Sequence, residues 1–131
     1  MKRLYISRTI DAPAADAWKV LVDLARWPDW GPSVRSATLG GAPMQLGSRG
    51  TVTTSVGVAL AFQVTDFEPG RCWSWKVAGI PATGHSVEPL GAGRCRVTFG
   101  VPAIAWPYLI ICRVALDRIA VITENLGGTS Q

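Results

Sequence analysis

Apolar and polar positions alternate over the first ten residues, with Leu4, Ile6 and Ile10 on one parity. That pattern predicts an opening strand over residues 3–10. The spacing then changes. Trp18, Leu21, Val22 and Ala25 fall at i, i+3, i+4 and i+7, the apolar face of a helix. Asp11 is placed to cap that helix, Pro13 suits its first turn, and Asp16 complements its positive end. Pro28 and the Gly31-Pro32 pair limit any second helix to a short turn. Between Val34 and Val101, runs rich in Val, Thr, Phe and Trp are divided by Gly40-Gly41, Gly47, Gly57, Pro69-Gly70, Gly79, Pro81 and Gly91-Ala92-Gly93. This predicts a meander of about six strands. Its best-defined hairpin joins residues 85–89 to residues 94–101. The last element is a helix over about 104–126. Its narrow apolar face carries Ile104, Tyr108, Ile111, Ala115, Ile119, Ile122 and Leu126, and Gly127 and Gly128 end it.

Strand, short helices, six strands and long helix make an α+β order: an antiparallel sheet with its helices on one face. A sheet of about seven strands curls because strands twist. A long helix across its concave side leaves space between the layers. The length, 131 residues, suits a single domain over 1–131.

Composition narrows the classes. Apolar residues make up 48% and charged residues 17%, which excludes a disordered chain. The net charge of +4 comes mostly from dispersed arginines, with no basic run of the kind that binds nucleic acid. Cys72, Cys95 and Cys112 are widely spaced and odd in number, which argues against a disulfide framework or a zinc site. No cofactor or metal is expected. The N-terminus is too short and polar for a secretory signal. Arg113, Asp117 and Arg118 interrupt the most apolar stretch, so no integral membrane segment is expected. A cytoplasmic location is the expectation.

The block TIDAPAADAW…RWPDWGPSV, from Thr9 to Val34, resembles the START/polyketide-cyclase-like (SRPBCC) superfamily, which has the helix-grip fold. FEPGRCWSWKV at Phe67 to Val77, TGHSVEPLGAGRCRVTF at Thr83 to Phe99 and the amphipathic last helix match the same pattern. The resemblance covers nearly the whole chain. It implies a curved antiparallel sheet wrapped around a long C-terminal helix, two short helices after the first strand, and a hydrophobic cavity between sheet and helix. It does not imply one reaction, since the superfamily hosts lipid carriers, hormone receptors and aromatase/cyclases.

Strand parity suggests what faces such a cavity. Trp73, Trp75 and Val77 share one face and Lys76 the other, so the Trp pair points inward. By the same rule Leu60, Phe62 and Val64, then His85 and Val87, then Cys95, Val97 and Phe99 point inward. Asp66 has inward parity at a strand end. A bulge would invert any of these. His85, the single histidine, is either a polar anchor and acid/base group for a bound carbonyl or hydroxyl, or a core histidine held by a backbone carbonyl. Trp27 and Trp30 either brace the helix pair or form the cavity mouth. Tyr108 either orients a ligand or reaches solvent at the rim. No serine sits in a nucleophile elbow, and the carboxylates read as caps, turns and solvated faces.

The first reading is therefore a binding protein or carrier for a small hydrophobic or aromatic, lipid- or polyketide-like ligand. Its site residues are Trp30, Phe62, Trp73, Trp75, His85, Phe99, Tyr108 and Ile111. One alternative is a polyketide cyclase or dehydrase using His85 as acid/base. Another is a partner-binding module whose cavity is collapsed. A second stripe on the last helix, Ile110, Val114 and Val121, suggests a homodimer.

Overall fold

The computed structural model describes residues 2–40 and 43–129. β1 (Arg3–Ile10) leads into helix α1 (Ala14–Val22), a 3-10 turn (Leu24–Arg26) and the short helix α2 (Trp27–Trp30). Six strands follow: β2 (Val34–Leu39), β3 (Arg49–Thr54), β4 (Ala59–Glu68), β5 (Cys72–Val77), β6 (Ile80–Gly91) and β7 (Arg94–Pro102). A 3-10 segment (Ala103–Tyr108) then gives way to the long helix α3 (Leu109–Thr129). The sheet is antiparallel, seven-stranded and ordered β1-β7-β6-β5-β4-β3-β2. This is the expected helix-grip arrangement. No helix of the described residues is long and apolar enough to cross a membrane.

Alternation explains the sheet. Cys95, Val97 and Phe99 of β7 are buried while Arg94 and Arg96 face out, and His85 and Val87 of β6 are buried opposite Phe99 and Val97. The helix α3 packs chiefly on β1 and α1. Arg8 of β1 reaches across to Asp117 of α3 in an exposed ion pair. Close approach is built in at Gly50, which pairs with Phe62. A Cβ there would lie 2.7 Å from the Phe62 ring and 2.1 Å from the Thr38 carbonyl oxygen.

Several expectations are corrected. Asp11 does not cap α1. Pro13 holds the N-cap position, while the Asp11 carboxylate accepts from Arg94 Nε at 3.1 Å and its backbone N–H donates to Glu124. The buried face of α1 is Ala17, Val20 and Leu21. Trp18 is half-buried against Phe67, and Ala25 is exposed in the 3-10 turn. Asp66 is exposed, because a register shift between Val64 and Asp66 inverts the strand and turns Phe67 inward instead. The last helix starts at Leu109, not near Ile104. Pro107 lies in the preceding 3-10 segment, and Ala105 breaks the helical backbone at φ −98°, ψ 27°. Ile104 is 91% exposed, and the buried face of α3 is Cys112, Ala115, Leu116, Ile119, Ala120 and Thr123. The backbone of α3 continues through Gly127 and Gly128 to Thr129.

Candidate functional site

Aromatic rings fill the space between the concave sheet and the helices. Trp27 of α2 lies parallel to Trp73 of β5, with centroids 5.4 Å apart and planes 5° apart. The imidazole of His85, directly opposite Trp73 in the β5–β6 register, also stacks on that indole at 4.0 Å. Phe99 meets His85 edge-on at 4.6 Å. Phe62 packs on Trp27 and Trp75 at 5.8 and 5.3 Å. Rings hold such edge and offset contacts because their faces are negative and their edges positive.

Within this cluster the polar atoms are chained together. His85 Nδ1 lies 3.3 Å from the Trp73 carbonyl oxygen. A carbonyl only accepts, so Nδ1 carries the proton and Nε2 is the acceptor. Thr83 Oγ1, 2.9 Å from Nε2, therefore donates to it, and itself accepts from Trp75 Nε1–H at 3.0 Å. The ring of His85 is 4% exposed. Burial lowers its pKa to about 3, with the Arg3 charge adding a smaller push the same way and the Trp73 carbonyl opposing it. At neutral pH His85 is an uncharged imidazole with both nitrogens engaged.

Two adjoining spaces border the cluster. The inner one is a recess of about 40 Å³ lined by Trp30, Trp73, His85, Phe99, Ile111 and Cys112, among others. The outer one is a chamber of about 360 Å³. Its walls are Val52 and Thr54 of β3, Leu60 of β4, Val77 of β5, Val101 of β7, and Ala105 and Tyr108 of the 3-10 segment. Ser33, Val34, Trp75, Thr83 and Tyr108 border both spaces. At their junction the Tyr108 hydroxyl lies 2.7 Å from Ser33 Oγ. Burial is the largest cause that raises the Tyr108 phenol, and burial also pushes the Cys112 thiol up to about 11, so both stay protonated. None of the described residues lining either space is charged. Among the described residues, no group of His, Cys, Asp or Glu side chains is arranged to hold a metal.

Of the residues expected at the site, Trp30, Trp73, Trp75, His85, Phe99, Tyr108 and Ile111 come together around the recess. Trp75 and Tyr108 also reach the chamber. Phe62 borders neither space and is 3% exposed behind Trp75. Tyr108 is 38% exposed, with its hydroxyl hydrogen-bonded to Ser33. Trp27, 1% exposed with its Nε1 donating to the Leu21 carbonyl, is a brace rather than a mouth residue. Sequence reasoning missed Thr83. It shares the parity of His85 and Val87, and that is the signal that points to it.

A family model described as polyketide cyclase / dehydrase and lipid transport matches residues 1–109. No curated protein matches the sequence. Among solved structures, the fold is shared with a Thermobifida fusca protein, 22% identical over 96% of this chain and 95% of that one, with a TM-score of 0.74. The aromatase/cyclase Zhui from Streptomyces sp. R1128 is 14% identical over 94% of this chain and 93% of that one, with a TM-score of 0.72. A point mutant of Thalictrum flavum norcoclaurine synthase, solved with a transition-state analogue, is 15% identical over 96% of each chain, with a TM-score of 0.69.

Proposed function

The chain belongs to the polyketide cyclase / dehydrase and lipid transport family, and on that premise we propose that it binds a small, uncharged, hydrophobic or aromatic ligand. The observation that carries this reading is the chamber of about 360 Å³ with apolar walls and no charged group. That volume lies in the range of small-molecule sites, and apolar walls with a few placed polar groups are their usual make-up. Trp75 supplies a flat wall, and the Ser33–Tyr108 pair and Thr83 supply the polar edge. The same chamber weighs against a collapsed, partner-binding module.

Tetralin, pyrene and methyl palmitate form a direct test. At least one should quench tryptophan fluorescence and raise the melting temperature, because Trp75 lines the space it enters. Leu60→Trp, which fills the chamber from β4, should weaken that binding at least tenfold while the protein stays folded. No response to any of the three in the wild-type protein would remove the support for a binding function.

The cyclase reading has one observation in its favour. Thr83 borders the chamber and donates a hydrogen bond to His85 Nε2, a line along which a proton could pass from a ligand at the wall. Against it stands the burial of His85, whose pKa of about 3 makes it a weak base. The carrier reading is therefore preferred.

The homodimer also belongs here as a proposal. Ile110, Val114 and Val121 are 70%, 36% and 58% exposed on the outer side of α3. Asp29, Asp117 and Arg118 border the same shallow patch as Val114 and Val121 and would form the polar rim of a two-fold contact between copies. Sedimentation at rising concentration should show a dimer that Val121→Glu abolishes. A monomer throughout would refute it.

A further inference from the structure

Hydrogen-bonding capacity at the inner end of the site is unbalanced. The indole N–H groups of Trp27 and Trp30 donate to the carbonyls of Leu21 and Val20, at 3.0 and 3.3 Å, and that of Trp75 donates to Thr83. The Nε1–H of Trp73 has no acceptor among the described residues, although the side chain is 1% exposed. Native structures leave few buried donors in that condition. Both ring nitrogens of His85, which stacks on the same indole, are already engaged. The Ser33–Tyr108 pair holds two hydroxyl protons and uses one between them, so a second donor stands open where recess and chamber meet.

We propose that Trp73 Nε1–H is the specificity-determining donor of the site and selects a ligand bearing a carbonyl oxygen, a flat neutral ketone or quinone. The ligand's apolar body occupies the chamber, and its oxygen enters the recess, whose roughly 40 Å³ admits an oxygen atom but no ring. A carbonyl answers the open donors without bringing a donor of its own. A hydroxyl would add a proton that itself needs an acceptor, and a carboxylate would enter a site with no cation on its walls. The inference rests on the binding function proposed above and narrows it to one ligand chemistry.

Tetralin and 1-tetralone test it, since they differ by a single carbonyl on one bicyclic frame. The wild-type protein should bind 1-tetralone about tenfold more tightly than tetralin, as read by fluorescence titration. In Trp73→Phe, which keeps a ring in the stack but has no N–H, the ratio should fall to about one. A second measurement needs no variant. In ¹H–¹⁵N spectra the Trp73 indole proton, assigned through its NOEs, should move downfield with 1-tetralone and stay in place with tetralin. Equal binding of the two ligands, or a ratio that survives in Trp73→Phe, would overturn the proposal. So would an indole proton already downfield in the free protein and unmoved by either ligand, which marks a resident water as its acceptor. Failure of both ligands to bind counts against the chamber as a binding site, a result separate from equal binding.

Discussion

Acidification from pH 7 to pH 3 should remove roughly 4 kcal/mol of stability through His85 alone, at about 1.4 kcal/mol for each tenfold change in proton affinity. In the folded chain its pKa is lowered from the ordinary 6.5 to about 3, chiefly by burial. Between those values the unfolded chain binds a proton that the folded chain refuses. Stability from this group is therefore complete above pH 6.5 and is lost progressively as the pH falls toward 3. The proton has no comfortable place in the fold. Nδ1–H already serves the Trp73 carbonyl, and protonating Nε2 would force Thr83 to turn its hydroxyl around and would set a charge between Trp73 and Phe99. His85→Phe preserves an aromatic ring and removes the titration. Denaturation measured at several pH values should show the wild-type protein losing stability more steeply than the variant between pH 6.5 and pH 4. The exposed pairs Arg94–Asp11 and Arg96–Glu88 are common to both proteins, so their acid response cancels in the comparison. Equal slopes would mean that His85 is protonated in the fold without cost.

Trp27→Ala should cost about 3–5 kcal/mol, the range for deleting a large buried aromatic. Trp27 is 1% exposed and meets Trp30, Phe62, Trp73 and Trp75. Removing it opens a hole in the middle of the ring cluster and leaves the Leu21 carbonyl, at the end of α1, without its donor. Trp27→Phe retains part of the stack and should cost less. Trp106→Ala is the control. That indole is 62% exposed, and its loss should change stability by less than about 0.5 kcal/mol. Urea denaturation of the three variants checks the order. A Trp27→Ala protein within 1 kcal/mol of wild type would show that the cluster repacks around the gap.

The same tryptophans mark how far the chain can be read without coordinates. Strand parity placed Trp73, His85, Val97 and Phe99 correctly, because one buried face imposes a strict period of two. It failed at Asp66, where one extra residue in β4 shifts the register and no local residue announces the change. The apolar period of the last helix was legible from Ala115 onward. Its start was not, since Ile104 and Tyr108 keep helical spacing while Pro107 and the Ala105 backbone divert the segment into 3-10 turns. That diversion places Ala105 and Tyr108 in the wall of the chamber. The aromatic residues of the recess were nominated individually. What parity could not supply was which polar atoms would find partners, because the Trp75–Thr83–His85 chain depends on angles across three strand positions.

Sheet order has a consequence during synthesis. Each strand from β2 to β7 lies beside a neighbour in sequence, but β1 pairs only with β7. Arg3 finds its partner in Pro102 and Ile10 in Cys95. At a ribosomal pace of about 5–20 residues per second, β1 waits on the order of 5–20 s for the strand that completes it. Over that interval it is an unpaired edge carrying Leu4, Ile6 and Ile10, the kind of segment that recruits other chains. Arg3 and Arg8 set charge beside and among those apolar residues, the placement that guards an unpaired strand against pairing with other chains, and in the finished protein they bond to Ala82, Gly100 and Asp117.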